Sequence, residues 1–443
     1  MKTVSIATVG CKANQFDSEA LLEQLRALGY RPVPFESGAD VMIINTCTVT
    51  HRADFDSRQM VRRALRRHPG SIVIVTGCYV QADPETFAKM GGVRYLFGNR
   101  EKFSIPSLLP QLEKGGLPKI QVGDIHRERT FVDLPVYRFS RRTRASLKIQ
   151  EGCDHRCSYC IVPLVRGPSR SLSPQRVMEH LAQLKGEGFQ EVVLTGIHLG
   201  AYGHDLHPPS SLGQLVERLE SEDTPARIRL SSIDPLDVTP DLISLLSKSS
   251  KVCPHLHIPI QSAEDEILGR MNRNYDRRFL SELFERLSQS ISGISIGADV
   301  IVGFPGETEE KFEKTYQWIQ AAPVSYLHVF PFSRREGTPA ADLDRQVPAE
   351  EIRRRAKRMR ELGREKRRSF YSRFLHHTLE VLVEGREMGG RGPARWKGHS
   401  RNYLPVFLTV DGERDLSNRE VKVFVTGWND RGVVGHLTEG DDG

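Results

Sequence analysis

Apolar residues in the first hundred positions come in short runs separated by amphipathic stretches. Residues 4–9, 41–44 and 72–75 read as buried strands, and 17–28 and 57–67, with apolar positions three and four apart, read as helices. This alternation predicts βαβ units and a parallel sheet. From 104 to 143 the rhythm fails. Pro106, Pro110, Gly115, Gly116, Pro118 and Pro135 accumulate there, followed by the basic run Arg141, Arg142, Thr143, Arg144, a composition typical of linkers. A second alternation begins at Ser146, with strands expected at 146–150, 191–195, 227–231, 256–260, 294–303 and 326–332. Six β/α repeats suggest a barrel or partial barrel with its site at the carboxyl ends of the strands. A basic helix is expected from 352 to 373, then short strands at 378–384, 403–410 and 421–426, enough for a small OB-like barrel. The expected organisation is α/β with three parts: 1–135, 136–372 and 373–440.

Composition narrows the function. The 443 residues are 38% hydrophobic and 27% charged, and no apolar run approaches the ~18 residues of a membrane helix. The chain opens into a strand pattern without a basic-then-apolar leader, which places it by expectation in the cytoplasm, with no membrane partner. A net charge of +7 favours an anionic partner. Seven cysteines are an odd number for a disulfide framework, and Cys253 stands alone as a candidate buried thiol.

The other six are grouped. Cys11 follows the first expected strand, Cys47 the second and Cys78 the third, and the carboxyl ends of a parallel sheet would bring them to one edge. Buried strand-end thiols are also common without any ligand role, so both readings stand on spacing alone. Cys153, Cys157 and Cys160 form CxxxCxxC directly after the first strand of the second alternation. Three thiolates on a four-iron cluster leave one iron open to an outside ligand. Zinc is the rival, but it usually takes paired cysteines with a distant second pair, and none is present; a non-catalytic zinc-containing RNA-binding protein is the corresponding alternative.

CxxxCxxC after the first strand of a six-repeat β/α region resembles the radical S-adenosylmethionine (SAM) superfamily. Thr8-Val9-Gly10-Cys11-Lys12-Ala13-Asn14-Gln15, Asn45-Thr46-Cys47-Thr48-Val49-Thr50 and Thr76-Gly77-Cys78-Tyr79 resemble the signatures of its methylthiotransferase branch. Together with Thr195-Gly196-Ile197-His198 they look most like the enzymes acting on N6-threonylcarbamoyladenosine (t6A) beside the tRNA anticodon, at position 37. The C-terminal segment is similar to a TRAM RNA-binding domain. The resemblance implies two [4Fe-4S] clusters. The one on Cys153, Cys157 and Cys160 would cleave SAM to a radical, and the one on Cys11, Cys47 and Cys78 would carry the sulfur to be delivered. It also implies a low-potential electron donor such as flavodoxin or ferredoxin, and RNA rather than DNA as the partner. Isopentenyladenosine in tRNA or a ribosomal protein is the alternative substrate.

The resemblance implies further cofactor contacts at Tyr159 in the cysteine loop, at Thr195 and Gly196, and at Val302 and Gly303, the last two at a Gly-Phe-Pro-Gly turn in a segment that the family sets against the adenine. Arg229, Ser231 and Gln261 are polar candidates from their strand-end positions. Glu307, which follows that turn, suits the start of a helix and needs no catalytic role. Trp396, Lys397, Arg401 and Tyr403 combine rings with cations, a mixture that suits RNA.

Overall fold

Short β-branched runs too apolar to face water on either side form the N-terminal sheet. Its six parallel strands are β1 (Thr3–Thr8), β2 (Arg31–Pro32), β3 (Val41–Thr46), β4 (Ile72–Gly77), β5 (Val93–Phe97) and β6 (Ile120–Gln121). They lie in the order β2-β1-β3-β4-β5-β6, and every residue of the central β3 is buried. The structure is a computed structural model and describes residues 1–137, 143–387, 394–410 and 414–438. The helix Lys12–Ala27 begins five residues before its expected start, because Ala13, Asn14 and Phe16 are already buried. The helix His51–Arg67 is capped by Thr50, whose hydroxyl accepts from the Ala53 amide at 3.1 Å.

The stretch expected to be a linker is largely structured. The helix Ile105–Lys114 buries Leu109 and Leu112, and β6 adds a strand to the sheet. Pro106 sits in the first turn, where an amide hydrogen is not needed, and Gly115 ends the helix in a left-handed conformation. The prolines and glycines are therefore partly helix punctuation. Arg141 and Arg142 lie outside the described residues.

The second alternation gives β7 (Arg144–Lys148), a short hairpin of β8 (Gln150–Glu151) and β9 (Arg170–Ser171), then β10 (Glu191–Thr195), β11 (Arg227–Leu230), β12 (His255–Gln261), β13 (Ser295–Val302) and β14 (Tyr326–Pro331). Two three-stranded sheets, β11-β10-β7 and β12-β13-β14, are linked by bridges at Ile228–Val252 and Ser232–His257. They form the partial barrel. The basic helix runs Ala349–Ser372. Five strands then close a small barrel, β15 (Thr378–Arg386), β16 (Ala394–Ser400), β17 (Pro405–Val410), β18 (Glu420–Asn429) and β19 (Gly432–Leu437), in the order β15-β16-β17-β19-β18. Val381, Val383, Trp396, Leu408, Val423 and Val433 fill it.

Contacts divide the chain into two compact units. The unit around the N-terminal sheet also takes in residues 148–172 and 333–342, so both cysteine triads belong to it. The other unit holds 143–147, 173–332 and the chain from 343 on. No helix among the described residues is long and apolar enough to cross a membrane.

Candidate active site

Cys11, Cys47 and Cys78 leave the carboxyl ends of β1, β3 and β4, which are neighbours in the sheet. Their flanking residues explain the close approach. Gly10 has φ +114°, and a Cβ there would stand 2.7 Å from Cys47 Cβ and 2.9 Å from its Sγ. Gly77 has φ +99°, with a Cβ position 2.4 Å from the Thr46 carbonyl oxygen. Only glycine fits either place. Asn14 donates to the carbonyls of Val9 and Thr46, both at 2.9 Å, and Asn45 donates to the carbonyl of Asn14 at 3.0 Å. These two amides tie the first cysteine loop to the second.

Cys47 and Cys78 are buried and Cys11 is exposed. Burial pushes the Cys47 thiol up to about 12, and its neighbours Cys78 and Cys11 oppose its ionisation further. Such a group of thiols cannot carry three negative charges without a cation among them. Among the described residues, the one set of three His, Cys, Asp or Glu whose ligand atoms all lie within 4.8 Å is His257, Asp299 and His328. Both cysteine triads are therefore wider than a single tetrahedral zinc, whose thiolates at about 2.3 Å from the metal stand ~3.8 Å apart. Three thiols are the donor type that a soft-metal group takes.

The CxxxCxxC loop connects β8 to the helix Val162–Arg166. Gly152 turns the chain at φ +74°, where a Cβ would come within 1.9 Å of the Pro168 carbonyl oxygen. The Cys153 amide donates to the Gly167 carbonyl and the Cys160 amide to the Cys157 carbonyl, each at 3.0 Å. Gln150 holds the returning chain, donating to the carbonyls of Glu151 and Gly152 and to Ser169 Oγ. All three cysteines are half-buried, as is Tyr159, so this triad is more open to solvent than Cys47 and Cys78. That suits a site that must admit an outside ligand.

In the other unit, buried Thr195 and half-buried Gly196 end β10. The loop that follows is anchored by His198, whose Nε2 lies 2.7 Å from Asp237 Oδ2. Ser231 is buried at the end of β11, and its hydroxyl has no hydrogen-bond partner, which suits a ligand group there. Gln261 ends β12 at a register shift with φ +63°, a strained conformation for a non-glycine residue and a common feature of ligand sites.

Residues 3–98 match a family described as Uncharacterized protein family UPF0004, and residues 147–319 match the Radical SAM superfamily. The chain is 38% identical to the threonylcarbamoyladenosine tRNA methylthiotransferase MtaB of Bacillus subtilis (strain 168), covering 96% of this chain and 93% of that protein. The chain belongs to the radical SAM tRNA methylthiotransferase family. It is also 37% identical to the MtaB of Aquifex aeolicus, over 86% of this chain and 92% of that one. It is 35% identical to a tRNA-2-methylthio-N(6)-dimethylallyladenosine synthase of Moorella thermoacetica, over 96% of each. Among solved structures, the radical SAM methyltransferase TsrM of Kitasatospora setae shares the fold at TM-score 0.56, with 17% identity over 77% of each chain. As a radical SAM methylthiotransferase, the enzyme uses SAM and a [4Fe-4S] cluster and takes tRNA as substrate.

Several expected site residues of this methylthiotransferase are engaged elsewhere. Arg229 is buried, and its guanidinium donates to both carboxylate oxygens of Glu191, at 2.8 and 3.0 Å, and to the Arg401 carbonyl at 2.9 Å. Arg229 is thus held in an ion pair, and a cofactor carboxylate there would compete with Glu191. Val302 and Gly303 adjoin the turn as expected, but the Val302 carbonyl already accepts from the Phe332 amide and the Gly303 amide donates to Glu307 Oε2 at 2.6 Å. The Gly303 amide is thus satisfied within the protein, while the Val302 carbonyl keeps a second lone pair for a further donor. Glu307 lies just ahead of the helix Glu309–Ala321 as a buried brace: burial raises it to about 7, against the Gly303 amide and Arg355, which favour its charge.

The RNA candidates divide. Trp396 points into the small barrel's core at 5% exposure, so it offers no face for a base. Arg401 donates to the carbonyls of Ala226 and Ser250 at the foot of the partial barrel. Tyr403 has φ +68° and packs under Arg229, whose guanidinium carbon is 4.7 Å from the ring centre, and against His255 and His399. Both residues form the joint between the barrels, because the turn ahead of β17 inserts there. Lys397 alone of the four is exposed.

Sequence reading missed a buried ionic group beside Cys78. Asp17, Lys102, Lys148 and Arg166 are each at most 3% exposed, and Glu151 closes the set. Arg166 donates to Cys78 Sγ at 3.3 Å, to Glu151 at 2.8 Å and to Asp17 at 3.2 Å, while Asn99 donates to the same sulfur at 3.5 Å. Its only trace in the sequence is a lysine inside an apolar strand and an arginine six residues beyond Cys160.

Proposed function

We propose that this enzyme converts t6A in tRNA to its 2-methylthio derivative, using two [4Fe-4S] clusters. The observation that carries the substrate is the 34–38% identity over at least 86% of this chain to MtaB proteins from five bacteria. The second cluster is supported by the position of Cys11, Cys47 and Cys78 at the carboxyl ends of three neighbouring strands and by the hydrogen-bond donors aimed at Cys78.

In this reading Cys153, Cys157 and Cys160 hold one cluster and the N-terminal triad the other. Bound there, SAM and the clusters supply the radical, the methyl group and the sulfur. The chain positions them. For SAM, the contact expected in the unit with the cysteines is Tyr159; in the other unit it is Thr195, Gly196, Ser231 and Gln261 at strand ends, where His198 and Asp237 fix the loop that carries Gly196. Lys397 offers the tRNA a cation on the small barrel, the TRAM-like part 373–440, beside 1–135 for the N-terminal cluster and 136–372 for the radical centre. Electrons come from a low-potential flavodoxin- or ferredoxin-type donor, and the reaction belongs in the cytoplasm, where tRNA is modified.

Dimethylallyladenosine is the second reading, favoured by the 35% identity to the Moorella synthase. Nucleoside mass spectrometry of tRNA from a deletion strain separates the two. Loss of 2-methylthio-t6A, restored by the gene, supports the assignment. Its persistence, with loss of the methylthio dimethylallyl nucleoside, rejects it. Anaerobic protein should hold about eight irons per chain, and about four in a Cys47→Ala variant.

A further inference from the structure

The helix Ala349–Ser372 carries cations on two faces with different fates. On one, Arg354, Arg355 and Arg358 meet Glu307, Glu309 and Glu313 at 2.5–3.3 Å. On the other, Arg353, Lys357, Arg360, Arg364 and Arg367 follow one another at steps of four, three, four and three residues, a single stripe along the helix. The first four are exposed, and Arg367 is half-buried. Among the described residues, the stripe's one acidic neighbour within ion-pair reach is Glu361, 3.7 Å from Arg364 and solvent-exposed, so it neutralises little. Fourteen residues at 1.5 Å each make the stripe about 21 Å long.

The stripe ends in a built recess. Arg367 lines a cavity of about 200 Å³ with Tyr326, His328, Tyr371, His399, Tyr403 and Arg431. Rings and cations surround it, and no carboxylate lines it. Interleaved rings and positive charge take an unstacked base and its phosphate. A membrane surface would need apolar side chains between the cations, and none lies within this stripe.

We propose that this stripe and its recess are a docking track for the phosphate backbone of the tRNA, separate from the residues that hold the cofactors. The inference rests on the family's tRNA substrate, but not on which modified adenosine is used. Each phosphate neutralised contributes roughly 0.7–0.9 to the slope of log affinity against log salt.

The test uses the full anaerobic holoenzyme with a fluorescein-labelled tRNA transcript, by anisotropy at 50–300 mM salt. In Arg353→Gln/Lys357→Gln/Arg360→Gln the slope should fall by about two to three and affinity near 150 mM should weaken at least tenfold. KM for tRNA should rise while kcat and tRNA-independent SAM cleavage hold. Arg367→Gln should weaken binding with a slope change of about one. Unchanged slope and affinity in the triple variant, with wild-type binding intact, overturn the track. Wild-type protein that does not bind tRNA at all would instead sink the tRNA reading. Binding to phosphatidylserine vesicles lost in the triple variant, with tRNA binding kept, would also overturn it.

Discussion

Arg166 lies just past the radical loop, yet its guanidinium donates to Cys78 of the other triad. Arg166→Met removes the charge and keeps much of the stem. The surrounding carboxylates are not orphaned, since Asp17 keeps Lys102 and Lys148 and Glu151 keeps Lys148. The fold should therefore lose only the charged hydrogen bonds, about 1.5–3 kcal/mol each before the remaining partners tighten. The larger effect falls on any metal group held by Cys78. A unit charge about 5 Å away, at an effective dielectric constant near 20, contributes about 3 kcal/mol. For one electron that is roughly 140 mV, and relaxation reduces it, so a fall of about 50–150 mV is expected. The sign is fixed, because removing a cation disfavours the reduced, more negative state. The assay is an EPR-monitored redox titration in a Cys157→Ala background, which isolates the N-terminal cluster. A shift under about 20 mV, or a rise, would refute the electrostatic reasoning.

Glu191, held down to about 2 by Arg229, Arg227 and Arg144 against the effect of burial, contributes about 3 kcal/mol above pH ~4.5 that is lost as pH falls toward 2. Unfolding midpoints in urea should drop through that window in the parent and drop less steeply in Glu191→Gln, where Asp17, Glu151, Asp299 and Glu384 still titrate. Trp396→Ala should cost the small barrel about 3–5 kcal/mol in thermal unfolding, whereas Lys397→Ala should change stability by less than about 0.5 kcal/mol and weaken tRNA binding instead. Gly152→Ala places a Cβ against the Pro168 carbonyl and should cost the protein about four irons per chain while tRNA binding persists.

The elements that the sequence made legible are those whose pattern is local. Runs such as 41–44 and 72–75 are too short for helices and rich in β-branched residues, so they read as buried strands, and CxxxCxxC carries its chemistry in its spacing. The helix Ile105–Lys114 was hidden because Pro106 and Pro110 read as breakers, though a first-turn proline breaks nothing. Strand β16 was hidden because Arg395, Lys397 and His399 make it look polar, while Trp396 and Gly398 alternate inward. Arg229 and Tyr403 were misread for a different reason. A buried arginine and a ring at a strand end suit a ligand or an internal partner equally well, and Glu191 lies 38 residues away in the chain. Only tertiary structure distinguishes the two.

The joint between the partial barrel and the small barrel has a mechanical consequence. Arg227, Arg229, Arg401 and Asn402 cross it through side-chain hydrogen bonds to backbone carbonyls, most of them part-buried. A module on a tether would search for RNA over a wide radius and tolerate substrates of many lengths. A clamped one works as a caliper: it fixes one span between the place where RNA is gripped and the strand ends of the barrel. The enzyme would then select its RNA by three-dimensional distance as well as by the modified base, so an anticodon stem shortened by a few base pairs should be a poor substrate even when its target adenosine is unchanged.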